Sequence, residues 1–236
     1  MKKIFFLSVF TSILFAAVVN LDEGLKAYEN KNYNKALSIF NELCKKNSSA
    51  KACYSIAFMF ENGEGVDQDN EQAKSYYKLA CQNKLSSACF NLALLMIEDE
   101  DDENETNLTL YRACSLSHSL ACERLGIIYE AKKDGDLAVE FYTRACQLKN
   151  APACFRLGDL YKKGSLVKQN TRTAIRTYEN ACELKFGEAC YVVGRYHQEE
   201  KKDNTLAKRY LGKACDLNHL EACEAYKQIN TAADTR

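Results

Sequence analysis

Proline is almost absent from this chain: Pro152 is the only one in 236 residues. Proline lacks a backbone N–H and clashes inside a helix, so a chain without it has little to interrupt long helical runs. Net charge is absent too, with 32 basic and 32 acidic side chains. No basic patch dominates the sequence, so nothing supports the clustered Lys and Arg that phosphate neutralisation needs, and no nucleic-acid partner is expected. It also gives no long-range pull toward membranes or anionic substrates. Histidine occurs three times and tryptophan not at all. Three scattered histidines supply neither a histidine-rich zinc site nor a Ser/His/Asp or Cys/His set.

What is present is ample apolar material, 47% hydrophobic residues against 27% charged, which excludes the disordered class. The chain opens with Lys2 and Lys3, then an almost wholly apolar run from Ile4 to Val19. That run is short for a bilayer span, which takes about 20 residues. Residues 1–19 read as a signal peptide, although Ala16-Ala17-Val18 is a poor match to the usual cleavage pattern. Twelve cysteines agree with export, since disulfides persist in oxidising compartments. The expected location is the periplasm or outside the cell, with no membrane contact once the signal is removed.

The cysteines fall in pairs: Cys44/Cys53, Cys81/Cys89, Cys114/Cys122, Cys146/Cys154, Cys182/Cys190 and Cys215/Cys223. All but the first pair are C-x7-C. First cysteines recur at intervals of 37, 33, 32, 36 and 33 residues, a period that marks a helix–turn–helix array. Other positions repeat in register. An alanine precedes every second cysteine, and a small residue follows four later at Ala57, Ala93, Gly126, Gly158 and Gly194; Lys227 breaks the series. Three and seven residues after the cysteine come aliphatic and mostly aromatic side chains, such as Leu157 and Tyr161. Offsets of 3, 4 and 7 form one helical face, here the A-type helix. Its small residue predicts close approach by a neighbouring helix.

Upstream of each first cysteine a second stripe appears. Alanine stands eight residues before in every unit except that of Thr106, and Phe40, Tyr77, Leu110, Tyr142, Tyr178 or Leu211 stands four before. This is the B-type helix. The first cysteine ends B and the second opens the next A. In one straight helix, residues eight apart would be about 12 Å distant, beyond the roughly 4.4–6.8 Å that a disulfide spans. The chain therefore reverses at each junction, and nearest-neighbour pairing is expected. Each small ring contributes on the order of 2.5 kcal/mol through loop-closure entropy. None of the pairs has zinc spacing, so no metal and no cofactor are expected.

Ala-Cys-x-x-Leu-Gly-x-x-Tyr on the A-type helix, the Gly-x-Gly-Val turn at Gly63–Val66 and Ala-x-x-x-Tyr-x-x-Ala-Cys on the B-type helix resemble Sel1-like repeats. The added C-x7-C bridge is similar to the secreted cysteine-rich Hcp group, and the likeness runs from Leu21 to Ile229. The opening unit, Leu25-Lys-Ala-Tyr to Tyr33-Asn-Lys-Ala-Leu, looks closer to a tetratricopeptide repeat. The resemblance implies an all-α, α/α superhelix (solenoid): about six stapled helix pairs and a C-terminal capping helix over 20–230, with a disordered tail at 231–236. It also implies a monomer whose concave face binds a protein or peptide. Candidate groove positions beside the A-type core stripe are Asn91, Glu123, Arg124, Arg156, Asp159 and Arg195.

The Hcp group is further classed as a β-lactamase family, which implies a penicillin-binding or weakly hydrolysing alternative with a β-lactam or cell-wall peptide as ligand. The residues offer little for it. S-x-x-K occurs at Ser48/Lys51, Ser75/Lys78 and Ser165/Lys168, as often as chance provides, and S-D-N and K-T-G are missing. No catalytic residue is assigned. One loop stands apart. Glu98–Glu105 reads EDEDDENE, a run that repels itself and is expected to stay solvated. Asn104 and Asn107 there sit in acid-extended sequons that resemble bacterial glycosylation sites; Asn47 has the plain N-x-S form.

Overall fold

The computed structural model describes residues 20–234, so the expected signal peptide lies outside the described residues. Thirteen α-helices and no strand occur among them. They alternate A-type and B-type: α1 (Leu21–Glu29), α2 (Tyr33–Asn47), α3 (Ala50–Asn62), α4 (Asn70–Gln82), α5 (Ser86–Glu98), α6 (Glu103–Ser115), α7 (Ser119–Ala131), α8 (Gly135–Gln147), α9 (Ala151–Lys163), α10 (Thr171–Glu183), α11 (Gly187–Glu199), α12 (Asn204–Asp216) and α13 (Leu220–Asp234). Odd numbers are A-type, and each helix packs on the next in sequence. The last helix runs on to Asp234, so the disordered tail expected from 231 is helical for its first four residues.

The small A-type residue has a specific purpose. A Cβ at Gly126 would meet the Tyr142 ring at 2.5 Å, at Gly158 the Tyr178 ring at 2.5 Å, and at Gly194 Leu211 at 2.8 Å. Each partner position is the one four residues before the following first cysteine, and Tyr77, Tyr142, Tyr178 and Leu211 are fully buried there. Gly24 stands in the same relation to Phe40, which aligns α1 with the other A-type helices. Asn20 then occupies the place of the missing cysteine and caps the helix.

Every B-type helix begins at Asn or Asp: Asn32, Asp69, Asp102, Asp134, Asn170 and Asp203 each accept a backbone N–H of the first turn. These satisfy N–H groups that a helix start leaves open. A-type helices are mixed: Asn20, Ser49 and Asn150 cap α1, α3 and α9. Leu85, His118 and Phe186 make no side-chain cap. From α7 onward that position packs against the residue just after the preceding second cysteine. Phe90 stacks on His118 at 4.4 Å, Phe155 contacts Phe186 at 5.2 Å, Tyr191 stacks on His219 at 4.5 Å, and Asn150 donates to Glu123 at 2.8 Å. This column ties each repeat to the next.

At the B-to-A junctions each cysteine bonds its neighbour in the chain. Cys44 joins Cys53 between α2 and α3, with Cα atoms 4.9 Å apart, and Cys81 joins Cys89 between α4 and α5 at 4.7 Å. Cys114 joins Cys122 between α6 and α7 at 4.8 Å, and Cys146 joins Cys154 between α8 and α9 at 4.6 Å. Cys182 joins Cys190 between α10 and α11 at 4.7 Å, and Cys215 joins Cys223 between α12 and α13 at 4.6 Å. The second cysteine opens its A-type helix on the buried face: Cys53, Cys89, Cys122, Cys154 and Cys190 are fully enclosed, whereas Cys223 on the last helix is half-buried. Cys223 lies where no further repeat covers it. The extra residue in the Cys44/Cys53 loop is taken up without separating the pair. The reversal is made by one left-handed residue per junction: Ser48, Lys84, Ser117, Lys149, Lys185 and Asn218.

Candidate binding face

Packing consumes the A-type positions at the second cysteine and 3, 4 and 6 or 7 residues beyond it. What remains open runs along the A layer at positions two and five residues past the cysteine. The fifth-position row reads Leu25, Phe58, Leu94, Ile127, Asp159 and Arg195. It is apolar over α1–α7 and charged beyond. Leu25 and Phe58 are 39% and 37% exposed and, with Tyr28, Phe40, Tyr54 and Ser55, line a cavity of about 190 Å³.

Buried tyrosines edge this face with their hydroxyls. Tyr77 donates to Glu61 at 2.5 Å, Tyr142 to Glu130 at 2.6 Å and Tyr178 to Asp159 at 2.6 Å; Tyr28 donates to Glu64. Burial first, and the accepting carboxylate second, push each of these phenols well above the usual tyrosine range. They stay protonated, and the rings are fixed by a bond at their only polar end.

The six groove candidates divide accordingly. Asn91 donates to the hydroxyls of Tyr54 and Tyr77 at 3.1 and 3.2 Å, Glu123 accepts from Asn150, and Asp159 accepts from Tyr178. These three are fastenings within and between repeats, not open contacts. Arg195 bonds to Gln198 and Glu199 on its own helix. Arg124 and Arg156 are exposed and carry no ion pair among the described residues, and Arg156 lies beside the Tyr142 phenol. The apolar fifth-position row escapes a reading that seeks polar variation.

The acidic run is exposed along its whole length, as expected, and it is also paired with lysines of the neighbouring units. Lys74 of the preceding unit bonds Asp99 at 2.9 Å and Asp101 at 3.1 Å, Lys132 of the following unit bonds Glu103 at 2.7 Å, and Lys78 reaches Glu105 at 3.5 Å. The lysine contacts offset the self-repulsion. Asn104 and Asn107 fall within the first two turns of α6, and Asn104 is exposed. Thr106, the hydroxyl residue of the first sequon, is buried and donates to Asp102.

The serine–lysine pairs scatter. Ser48 is the left-handed cap of α2, Ser75 and Lys78 lie on α4 with the ammonium turned to Glu105, and Ser165 lies in the α9–α10 loop. The cysteines offer no nucleophile or thiolate ligand, because every described one is bonded to a second sulfur. No group of three or more histidine, cysteine or acidic residues able to hold a metal occurs among the described residues. No described helix is long and apolar enough to cross a membrane.

The sequence profile of the Sel1 repeat matches residues 50–85, 151–186 and 187–219, each an A–B pair with its junction. The chain carries Sel1 repeats. A tetratricopeptide repeat profile matches 120–152, over α7–α8. The Sel1 architecture agrees with solved structures. A Sel1 repeat protein from Oxalobacter formigenes superposes with a TM-score of 0.67 at 23% identity, covering 86% of both chains. The protective antigen c5321 of uropathogenic Escherichia coli gives 0.70 at 19% identity, covering 89% of this chain and 51% of that one. These identities speak for the fold alone.

Among curated proteins, an uncharacterised Haemophilus influenzae protein is 46% identical over 37 residues, 16% of this chain and 71% of that protein. Human cytochrome c oxidase assembly factor 7 is 26% identical over 136 residues, 51% of this chain. The chain spans 57% of that factor's length. It spans 6% of a Candida glabrata ERAD-associated E3 ubiquitin-protein ligase component that it matches over 50 residues at 42% identity.

Proposed function

We propose that this Sel1-repeat chain is an exported monomeric scaffold that holds a protein or peptide partner on the face of its A-type helices. The supporting observation is the fifth-position row. Leu25 and Phe58 stay more than a third exposed on a layer whose buried tyrosines are hydrogen-bonded, so the fold gains little by presenting them to water. Rigidity suits the task, because a surface held in shape loses less freedom on binding. Export rests on the leading apolar segment and on cysteine pairs at disulfide distance, which fit an oxidising compartment.

The test is photo-crosslinking in the native host, with a photoreactive residue placed at Phe58, Ile127 or Arg156, and at Leu108 and Tyr111 on the B-type surface. Discrete adducts are expected from the A-type sites. Adducts from the B-type sites alone, or from none, would overturn the reading.

Asn104 and Asn107 are candidate glycan sites within the same proposal. Because the Thr106 hydroxyl is buried, transfer to Asn104 has to precede folding of α6. Intact mass of the exported protein checks this: the unmodified mass refutes it.

A further inference from the structure

The first four B-type helix starts each receive something from the loop of the following repeat. The start of α2 is covered by the Gly63–Asp69 loop: a Cβ at Gly65 would collide with Tyr33, and Val66 packs on the core. At the start of α8, Gly135 lies under the Leu166 carbonyl, and Leu166 and Val167 are partly buried against the core. At α4 the visitor is ionic, Asp99 and Asp101 meeting Lys74; at α6 it is Lys132 meeting Glu103.

The start of α10 is the exception. Its next loop, 200–203, lines the opening through Glu200, and no hydrogen bond or ion pair among the described residues joins it to α10. A cleft of about 500 Å³ opens there, with Ala174, Ile175 and Tyr178 of α10 and Val192 and Tyr196 of α11 on its apolar side; Lys162, Arg195, Glu199 and Glu200 also line it. Thr171, in the cleft, matches Gly135; Ile175 matches Lys74. The lysine that bonds with carboxylates in α4 is therefore an aliphatic side chain here. Val192 likewise replaces the arginine found at the matching position in α7 (Arg124) and α9 (Arg156).

We infer that the α10–α11 cleft binds an extended partner segment bearing two adjacent aliphatic side chains, in the manner of the chain's own Leu166–Val167 loop on α8. The side formed by Ile175 and Val192 favours aliphatic residues, where α4 offers Lys74 to an acidic filler. The volume lies within the range of preformed ligand sites. This deepens the scaffold reading, on which it rests, by naming a pocket and the chemistry that fills it.

The test uses the oxidised full chain and the peptide acetyl-Gly-Ser-Leu-Val-Lys-amide, the sequence of residues 164–168, followed by amide NMR. Saturable shifts are expected at Thr171, Ile175, Val192 and Tyr196, and not with the peptide in which Leu and Val are both Asp. Val192→Arg, a residue the fold accommodates at the matching positions, should weaken binding by about tenfold or more with an unchanged melting curve. Absence of saturable shifts at millimolar peptide, shifts lying elsewhere, or equal affinity in V192R would overturn the inference. Crosslinks retained at Phe58 and Ile127 in that event would spare the scaffold reading; loss of both would end it as well.

Discussion

Lys149 sits at φ 64°, one step past the cap of α8, and its N–H bonds the Cys146 carbonyl. An L side chain in this left-handed region costs about 1–2 kcal/mol, and glycine is the usual occupant after a helix. Lys84 and Lys185 repeat the choice at their own junctions. Lys149 is exposed, so Lys149→Gly removes strain without removing a packed group. We expect a gain of about 0.5–1 kcal/mol once glycine's larger unfolded-state entropy is subtracted, measured by denaturant melts. His118 is the opposite case. Its Nδ1 is buried without a partner and burial holds its pKa below the usual 6.5. The unfolded chain then takes up the proton first, so stability is complete above about pH 6.5 and declines as pH falls through the folded value. Phe186 occupies the matching place in α11, so His118→Phe should flatten part of the stability loss between about pH 7 and 5. An unchanged pH profile would refute the role.

At the scale of the element, caps are uniform in one helix type and mixed in the other: among A-type helices α1, α3, α9 and α13 have a side-chain acceptor at the start, and α5, α7 and α11 have none. B-type helices have their Asn or Asp, and Asn170→Ala should cost about 1 kcal/mol, because the Thr173 N–H loses its acceptor. A cost near zero in thermal melts would show that water replaces the cap. The stripes of both helix types are legible in the sequence because 3, 4 and 7 recur at fixed distances from cysteine. The caps are equally periodic, always twelve residues before a first cysteine. They escape notice because the A-to-B loops vary in length and hide that register when counting from the other side. The bridges are legible for the opposite reason, since Cys146 and Cys154 lie close in the chain as well as in space. Nothing local marks Lys149 as left-handed, and nothing local shows Lys74 meeting Asp101, 27 residues away. Likewise Asn91 and Asp159 read as variable surface, since their tyrosine partners lie on other helices.

For the whole molecule, interactions link neighbours only, and stability is close to a sum over repeats and their interfaces. The six staples enter that sum evenly. Replacing one bridge, as in Cys182→Ser with Cys190→Ser, should cost about 2–3 kcal/mol. Full reduction should lower the helical melting temperature steeply; a melt unaffected by reductant would mean the bridges add nothing. The small-residue pattern breaks in α13. Lys227 takes the small-residue position of α13, and a further B-type ring would meet its side chain there.

The bridges close loops of eight or nine residues, always between consecutive cysteines. For a chain exported as proposed, threading out of a narrow channel would bring each thiol to its proper mate before the next pair emerged. An oxidant that joins cysteines strictly in order of appearance produces the native set, and a disulfide isomerase finds nothing to rearrange.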